Sequence, residues 1–205
     1  MSVAVKICGI ASVENAQAVE LAGADAVGLM FYEGSPRHIT LEQAKAIVDS
    51  LSNSIARVGV FVNSDESFVR QAMEVCALNM LQFHGDETPE YCARFEAMTL
   101  KAIRVSGESS LKEMERYSTD GFLLDAFSDN SLGGTGETFN WELAKRATES
   151  GRPIFLAGGL TSENVAEAVK VVRPFAVDVS SGVESGPGKK DAAKVRAFVA
   201  AAKGA

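Results

Sequence analysis

Two residues of this 205-residue sequence are well suited to move protons, and each closes a short apolar run. Cys8 ends AVKIC, and Asp125 ends GFLLD. In a strand, alternate side chains share a face, so Ala4, Lys6 and Cys8 point one way while Val3, Val5 and Ile7 point the other. A thiolate is the working form of cysteine, and a lysine on the same face is expected to lower the thiol pKa towards working pH. The plain alternative for Cys8 is a small buried hydrophobe. A carboxylate at the end of an apolar strand is desolvated, which raises its pKa and equips it as a general acid. Its plain alternative is a turn cap.

Two glycine- and serine-bearing turns follow two later apolar runs. Gly158 and Gly159 follow residues 153–157, and Ser180, Ser181 and Gly182 follow residues 175–179. Backbone N–H groups, serine hydroxyls and the start of a helical turn favour an anion, and a phosphate in particular. Either turn alone could be an ordinary tight connection. Both together suggest one shared phosphate.

Other polar residues fall at strand ends. Arg37, in the loop SPR, can grip a carboxylate with two parallel bonds, unless it is simply a solvated loop charge. Gln82 and His84 share a parity at the end of MLQFH. His84 could contact substrate, shuttle a proton or bond to nearby backbone. Asp178 shares a face with Ala176 and Ser180, so it points inward, either to pair with Lys6 or to touch substrate. Asn63 is a weaker polar candidate. Lys101 and Arg104 have opposite parities, so at most one points inward. Asp86 and Glu87 are expected to begin a helix, where acids favour the dipole, and Thr40 to cap one.

These side chains need a scaffold that brings many strand ends together. Apolar runs at 3–8, 26–31, 56–61, 80–83, 100–105, 121–125, 153–157 and 175–179 alternate with helical patterns, PEYCARFEA and WELAKRATES among them. That alternation predicts an α/β chain built of βαβ units. Eight strands and eight helices predict a (β/α)₈ TIM barrel, residues 1–205 as a single domain. No GxGxxG follows the first strand, which argues against a dinucleotide fold. Barrel sites lie at the C-terminal rim, and the loops after strands seven and eight hold phosphate there. The long segment SDNSLGGTGETFNW after Asp125 suits a lid.

The net charge of −7 argues against a nucleic-acid partner. No stretch reaches membrane-spanning length and no leader pattern opens the chain, so a cytoplasmic location without membrane partners is expected. Three cysteines and two histidines without metal spacing predict free thiols and no metal.

The blocks KICGI, GADAVGLMFYEGSPRHI, VGVFVN, LQFHGDE, LLDAFSDNSLGGTGETFNW, LAGGLTSENV and VDVSSGVESGPGKKD, in this order, resemble the phosphoribosylanthranilate isomerases of tryptophan biosynthesis. The resemblance runs from Lys6 to Asp191. It implies a barrel that works without metal or organic cofactor. The implied reaction is an Amadori rearrangement of N-(5-phosphoribosyl)anthranilate to 1-(2-carboxyphenylamino)-1-deoxyribulose 5-phosphate. It also implies Cys8 as general base, Asp125 as general acid and Arg37 as the anthranilate carboxylate's partner. Gly158, Gly159, Ser180, Ser181 and Gly182 would hold the phosphate. Gln82, His84 and Asp178, read from their strand parity, are expected as further substrate contacts. Phe83 departs from the leucine common in the family, on the face away from the rim. A monomer or homodimer is expected. Rival readings are another phosphosugar enzyme on the same fold or a catalytically silent binder. The histidine-pathway isomerase resembles a two-aspartate acid/base pair, whereas this chain has Cys8 on its first strand.

Overall fold

A computed structural model describes residues 2–125 and 136–205, with side chains in the second segment described from Trp141 onward. Residues 128–135 of the expected lid lie outside the described residues, and its remainder, GETFNW, is not loop but the start of the helix Gly136–Thr148. Eight parallel strands close into a barrel: β1 Ala4–Cys8, β2 Ala26–Met30, β3 Ala56–Phe61, β4 Met80–Phe83, β5 Met98–Arg104, β6 Gly121–Asp125, β7 Ile154–Ala157 and β8 Ala176–Val179. The helices between them are α1 Val13–Leu21, α2 Leu41–Asp49, α3 Glu66–Cys76, α4 Pro89–Cys92, α5 Glu108–Met114, α6 Gly136–Thr148 and α7 Val165–Val172, with α8 Ala192–Lys203 closing the chain. A small antiparallel hairpin, β9 Glu184–Gly186 with β10 Lys189–Lys190, lies between β8 and α8.

The predicted strand order and alternation are therefore present, with shifts of one or two residues at strand ends. Strand parity explains the packing. Ala26, Val58, Met80, Leu100, Leu123, Phe155 and Ala176 fill the barrel interior. Their neighbours in sequence, such as Val27, Leu81, Leu124 and Val177, join the core under the helices. Both faces are buried, which is why the strands read as nearly continuous apolar runs. Phe83 is on the helix side, where its ring meets Phe61, Tyr91 and Phe95 at centroid distances of 6.3, 5.6 and 5.4 Å.

Capping follows the sequence. The Thr40 hydroxyl accepts from the Gln43 N–H while the Gln43 side chain accepts from the Thr40 N–H, completing a capping box. Asp191 accepts from the N–H groups of Ala193 and Lys194 and starts α8.

Two expectations are corrected around β4. Helix α4 is a single turn rather than the full PEYCARFEA segment, because the Arg94 N–H turns back to the Tyr91 carbonyl, three residues behind. Glu87 does not begin that helix; Thr88 caps it, accepting from the Tyr91 N–H. Glu87 is instead buried, accepting from the N–H groups of Asn63 (2.8 Å) and Gly85 (2.9 Å) and from Lys101 Nζ (3.0 Å). Three donors on one carboxylate outweigh a dipole contact at a solvated helix start. Lys101 thus faces the helices rather than the interior. Arg104, of opposite parity, ends its strand exposed at the rim. Asn63 braces the same loop by accepting from the Asp86 N–H at 2.7 Å. Among the described residues no helix is long and apolar enough to cross a membrane.

Candidate active site

The C-terminal ends of the strands surround a cavity of about 450 Å³. Cys8, Arg37, Gln82, His84, Asp125, Gly158, Gly159, Asp178, Ser180, Ser181 and Gly182 all line it. Six of the eight strands or the loops after them thus deliver every residue singled out as catalytic, substrate-binding or phosphate-binding to one place.

Register explains the first cluster. In the parallel β1–β8 pair Lys6 stands opposite Asp178, and Lys6 Nζ donates to Asp178 Oδ1 at 2.8 Å. Lys6 is fully buried and Asp178 is 7% exposed, so the pair forms the floor of the cavity. Cys8 sits one inward step above Lys6 and pairs in register with Gly28 of β2. A Cβ at Gly28 would lie 2.7 Å from the Cys8 sulfur, so glycine makes room for the thiol. That role of Gly28 went unread in the sequence, where only the cross-strand register could reveal it.

The electrostatics correct one expectation. Burial pushes the Cys8 thiol above its ordinary pKa, and Asp178 adds to the rise; Lys6 and Lys190 oppose it without cancelling it. The neighbouring cation therefore does not bring the resting thiol below its ordinary value, because burial outweighs its pull and Asp178 adds to the rise. Burial on its own would lower Lys6, but Asp178 and Cys8 hold its ammonium above the usual lysine value.

Across the cavity, the Gln82 amide contacts His84 Nδ1 at 2.9 Å, with Gln82 Nε2 as the donor. That arrangement leaves His84 Nε2 carrying the ring proton. Gln82 is 1% exposed, and its Oε1 has no hydrogen-bond partner among the described residues. Desolvation draws the His84 pKa below its ordinary value, against the opposing pull of Asp125 and Asp178. Asp125 closes β6 beside Ala157 of β7 and also lines the neighbouring rim cavity with Arg104 and Arg116.

The two glycine turns meet. Gly158 and Gly159 have φ of +89° and +65°, backbone conformations that suit glycine. A Cβ at Gly182 would fall 2.0 Å from the Leu160 carbonyl oxygen, so the turn after β8 lies directly against the turn after β7. Ser181–Val183 forms a single 3₁₀ turn. The α-helix after β8 begins only at Ala192, so the expected helical N-terminus at this turn is that short 3₁₀ segment.

Arg37 lines the cavity, but one edge of its fork is already occupied. Its Nε and Nη2 donate to the two oxygens of Glu184 at 2.9 and 2.7 Å. Glu184 also accepts from Lys190 Nζ at 2.7 Å. Both residues lie inside the VESGPGKKD block, yet neither was singled out in the sequence. An acid and two lysines flanking a Gly-Pro-Gly stretch were the available signal. Among the described residues, no group of three or more His, Cys, Asp or Glu side chains is arranged to hold a metal ion.

The chain resembles known proteins over nearly its whole length. A family model described as N-(5'-phosphoribosyl)anthranilate (PRA) isomerase matches residues 5–201. The N-(5'-phosphoribosyl)anthranilate isomerase of Trichlorobacter lovleyi is 52% identical over 199 residues, covering 97% of each chain. The crystal structure of phosphoribosyl anthranilate isomerase from Thermotoga maritima superposes with a TM-score of 0.91 at 42% identity, covering 99% of this chain and all (100%) of that one. A phosphoribosyl anthranilate isomerase solved with reduced 1-(o-carboxyphenylamino)-1-deoxyribulose 5-phosphate superposes with a TM-score of 0.89 at 40% identity, over 99% of this chain and 100% of that one. On a match that spans nearly the whole barrel, this chain belongs to the N-(5'-phosphoribosyl)anthranilate isomerase family.

Proposed function

We propose that this chain, acting as one barrel domain in the cytoplasm, isomerises N-(5-phosphoribosyl)anthranilate to 1-(2-carboxyphenylamino)-1-deoxyribulose 5-phosphate in tryptophan biosynthesis. The observation that carries the reading is the single cavity that holds a thiol, a carboxyl, two abutting glycine turns and an arginine together. The phosphate binds the backbone N–H groups and hydroxyls of the turns after β7 and β8. The anthranilate carboxylate binds Arg37. With both ends of the substrate held, the sugar lies between Cys8 and Asp125.

Asp125 donates a proton to the furanose ring oxygen. The ring C–O bond breaks, assisted by the anthranilate nitrogen, and leaves a Schiff base. The Cys8 thiolate removes the proton from C2′, and the electron pair moves to give an enolamine. Tautomerisation of that enolamine to the ketone completes the Amadori rearrangement. Each transfer needs only a general acid or a general base, so the chemistry calls on no cofactor. Gln82, His84 and Asp178 act as further substrate contacts. The enzyme works as a monomer or homodimer and needs no nucleic acid or membrane.

The direct test is turnover of freshly generated phosphoribosylanthranilate, followed by loss of its anthranilate-type fluorescence. A folded protein that binds phosphate compounds but gives no turnover would overturn the isomerase reading in favour of a silent binder.

The raised Cys8 pKa sets a pH dependence. A base works only when deprotonated, so kcat/KM rises with pH as the thiolate fraction grows. Because burial lifts the folded pKa, the ascending limb should bend above the ordinary thiol value near 8.5. A plateau already reached below that value would assign the base role elsewhere.

The meeting of the two turns gives a second expectation. Gly182→Ala would drive a methyl into the Leu160 carbonyl and push the turns apart. KM should rise by about tenfold or more, equivalent to about 1.4 kcal/mol of lost binding. Thermal stabilisation by inorganic phosphate should weaken with it. Unchanged phosphate protection in the variant would remove the turns as the phosphate site.

A further inference from the structure

We propose that Glu184 and Lys190 are positioning residues that lock the carboxylate-binding Arg37 to the phosphate-binding turn, and so set the span over which substrate is held. This rests on the reading of Arg37 and the β7 and β8 turns given above.

Neither Glu184 nor Lys190 lines the cavity, yet both are buried behind it, with side chains only 5% and 1% exposed. Glu184 takes both donors of one edge of the Arg37 guanidinium. A guanidinium has two such edges, and pairing through Nε and Nη2 leaves the Nη1/Nη2 edge for a second carboxylate. Lys190 Nζ bridges onward. Besides Glu184 it donates to the Ser180 carbonyl at 3.2 Å and contacts the Ser180 hydroxyl at 3.3 Å. One chain of contacts therefore runs from the loop after β2 to the turn after β8. These are the two places that hold opposite ends of the substrate.

The hairpin is itself fastened. The Asp191 N–H donates to the Val183 carbonyl at 2.9 Å, and Lys194 Nζ donates to the Glu184 carbonyl at 2.8 Å. Glu184 thus presents its carboxylate from a fixed backbone. An arginine held on one edge loses little further freedom when the other edge meets a ligand. A flexible arginine would have to be ordered by the substrate, and a shift of about 1 Å in a gripped end can cost ~100-fold in rate.

The test is a double-mutant cycle on Arg37 and Glu184, reading kcat and KM separately for the isomerisation. Glu184→Ala should raise KM by about tenfold or more. Glu184→Gln, which keeps an acceptor but loses the charge, should recover part of that loss. If Glu184 acts through Arg37, the double variant should be no worse than Arg37→Ala alone. Lys190→Met should instead weaken protection by inorganic phosphate. Equal and additive penalties from Glu184 with and without Arg37, or an unchanged KM in Glu184→Gln and Glu184→Ala, would overturn the proposal. Should Glu184→Ala fail to fold, the Glu184→Gln arm of the cycle decides. An unchanged KM in Arg37→Ala would overturn the prior assignment of Arg37 to the carboxylate. A raised KM in Arg37→Ala with a silent Glu184 would overturn only the positioning role.

Discussion

Cys8→Ala and Asp125→Asn should each lower kcat for phosphoribosylanthranilate isomerisation by at least ~100-fold, the scale of a lost general base or acid. The substitutions remove different protons from the same reaction. Alanine at position 8 leaves no group to take the C2′ proton from that point of the cavity. Asparagine at position 125 keeps the shape of the side chain but has no carboxyl proton to give to the ring oxygen. KM should change much less than kcat in both, because neither residue belongs to the two gripping ends. Cys8 is 7% exposed at the top of the interior, in room left by Gly28, so truncation to alanine leaves a void of about one sulfur atom. The fold should tolerate it, and circular dichroism with a denaturant midpoint checks that. Steady-state fluorescence kinetics supply the rate. Activity that survives Cys8→Ala would transfer the base role to His84 or Asp178, which line the same cavity. Survival of Asp125→Asn would leave the acid to be found on another strand end.

How far the sequence could be read depends on the range of the interaction. Strand existence and parity are local properties, so the inward set Lys6, Cys8, Gln82, His84 and Asp178 was legible from period-two alternation, and Asp125 from its place closing an apolar run. Turn chemistry is also local, and the glycines at 158, 159 and 182 announced two special connections. Ion pairing is not local. Glu87 reads as a helix-starting acid until Lys101, fourteen residues later, is placed beneath it. Arg37 reads as a free fork until Glu184 arrives from 147 residues away. The Cys8 thiol misleads for a related reason. Pairing of Lys6 with Asp178, 172 residues away, was one of two readings of Asp178, but its consequence for the thiol, together with burial, was not drawn. Proximity of a cation in sequence therefore gave the wrong direction for the resting thiol, since burial and a rival anion decide it.

That same Lys6–Asp178 pair carries the largest expected effect on stability. Lys6→Met should cost about 3–5 kcal/mol of unfolding free energy, because it strands a buried carboxylate on the barrel floor. A urea midpoint lowered at constant slope is the measurement. Replacing both partners, as in Lys6→Met/Asp178→Leu, should restore stability to about the wild-type level or above it. Attraction within a buried pair seldom exceeds the cost of desolvating it. Activity should not return with the stability. The double variant removes Asp178 from the cavity wall and takes away the cation that opposes the rise of the Cys8 pKa. In Lys6→Met alone, an unpaired Asp178 beside the thiol would disfavour the thiolate further, so the ascending limb of kcat/KM should move to still higher pH. A loss below about 1 kcal/mol in the single variant would mean that Asp178 is not left stranded when Lys6 is removed. A double variant that is stable but slow would indicate that this buried pair is kept for the electrostatics of the thiol rather than for the stability of the barrel.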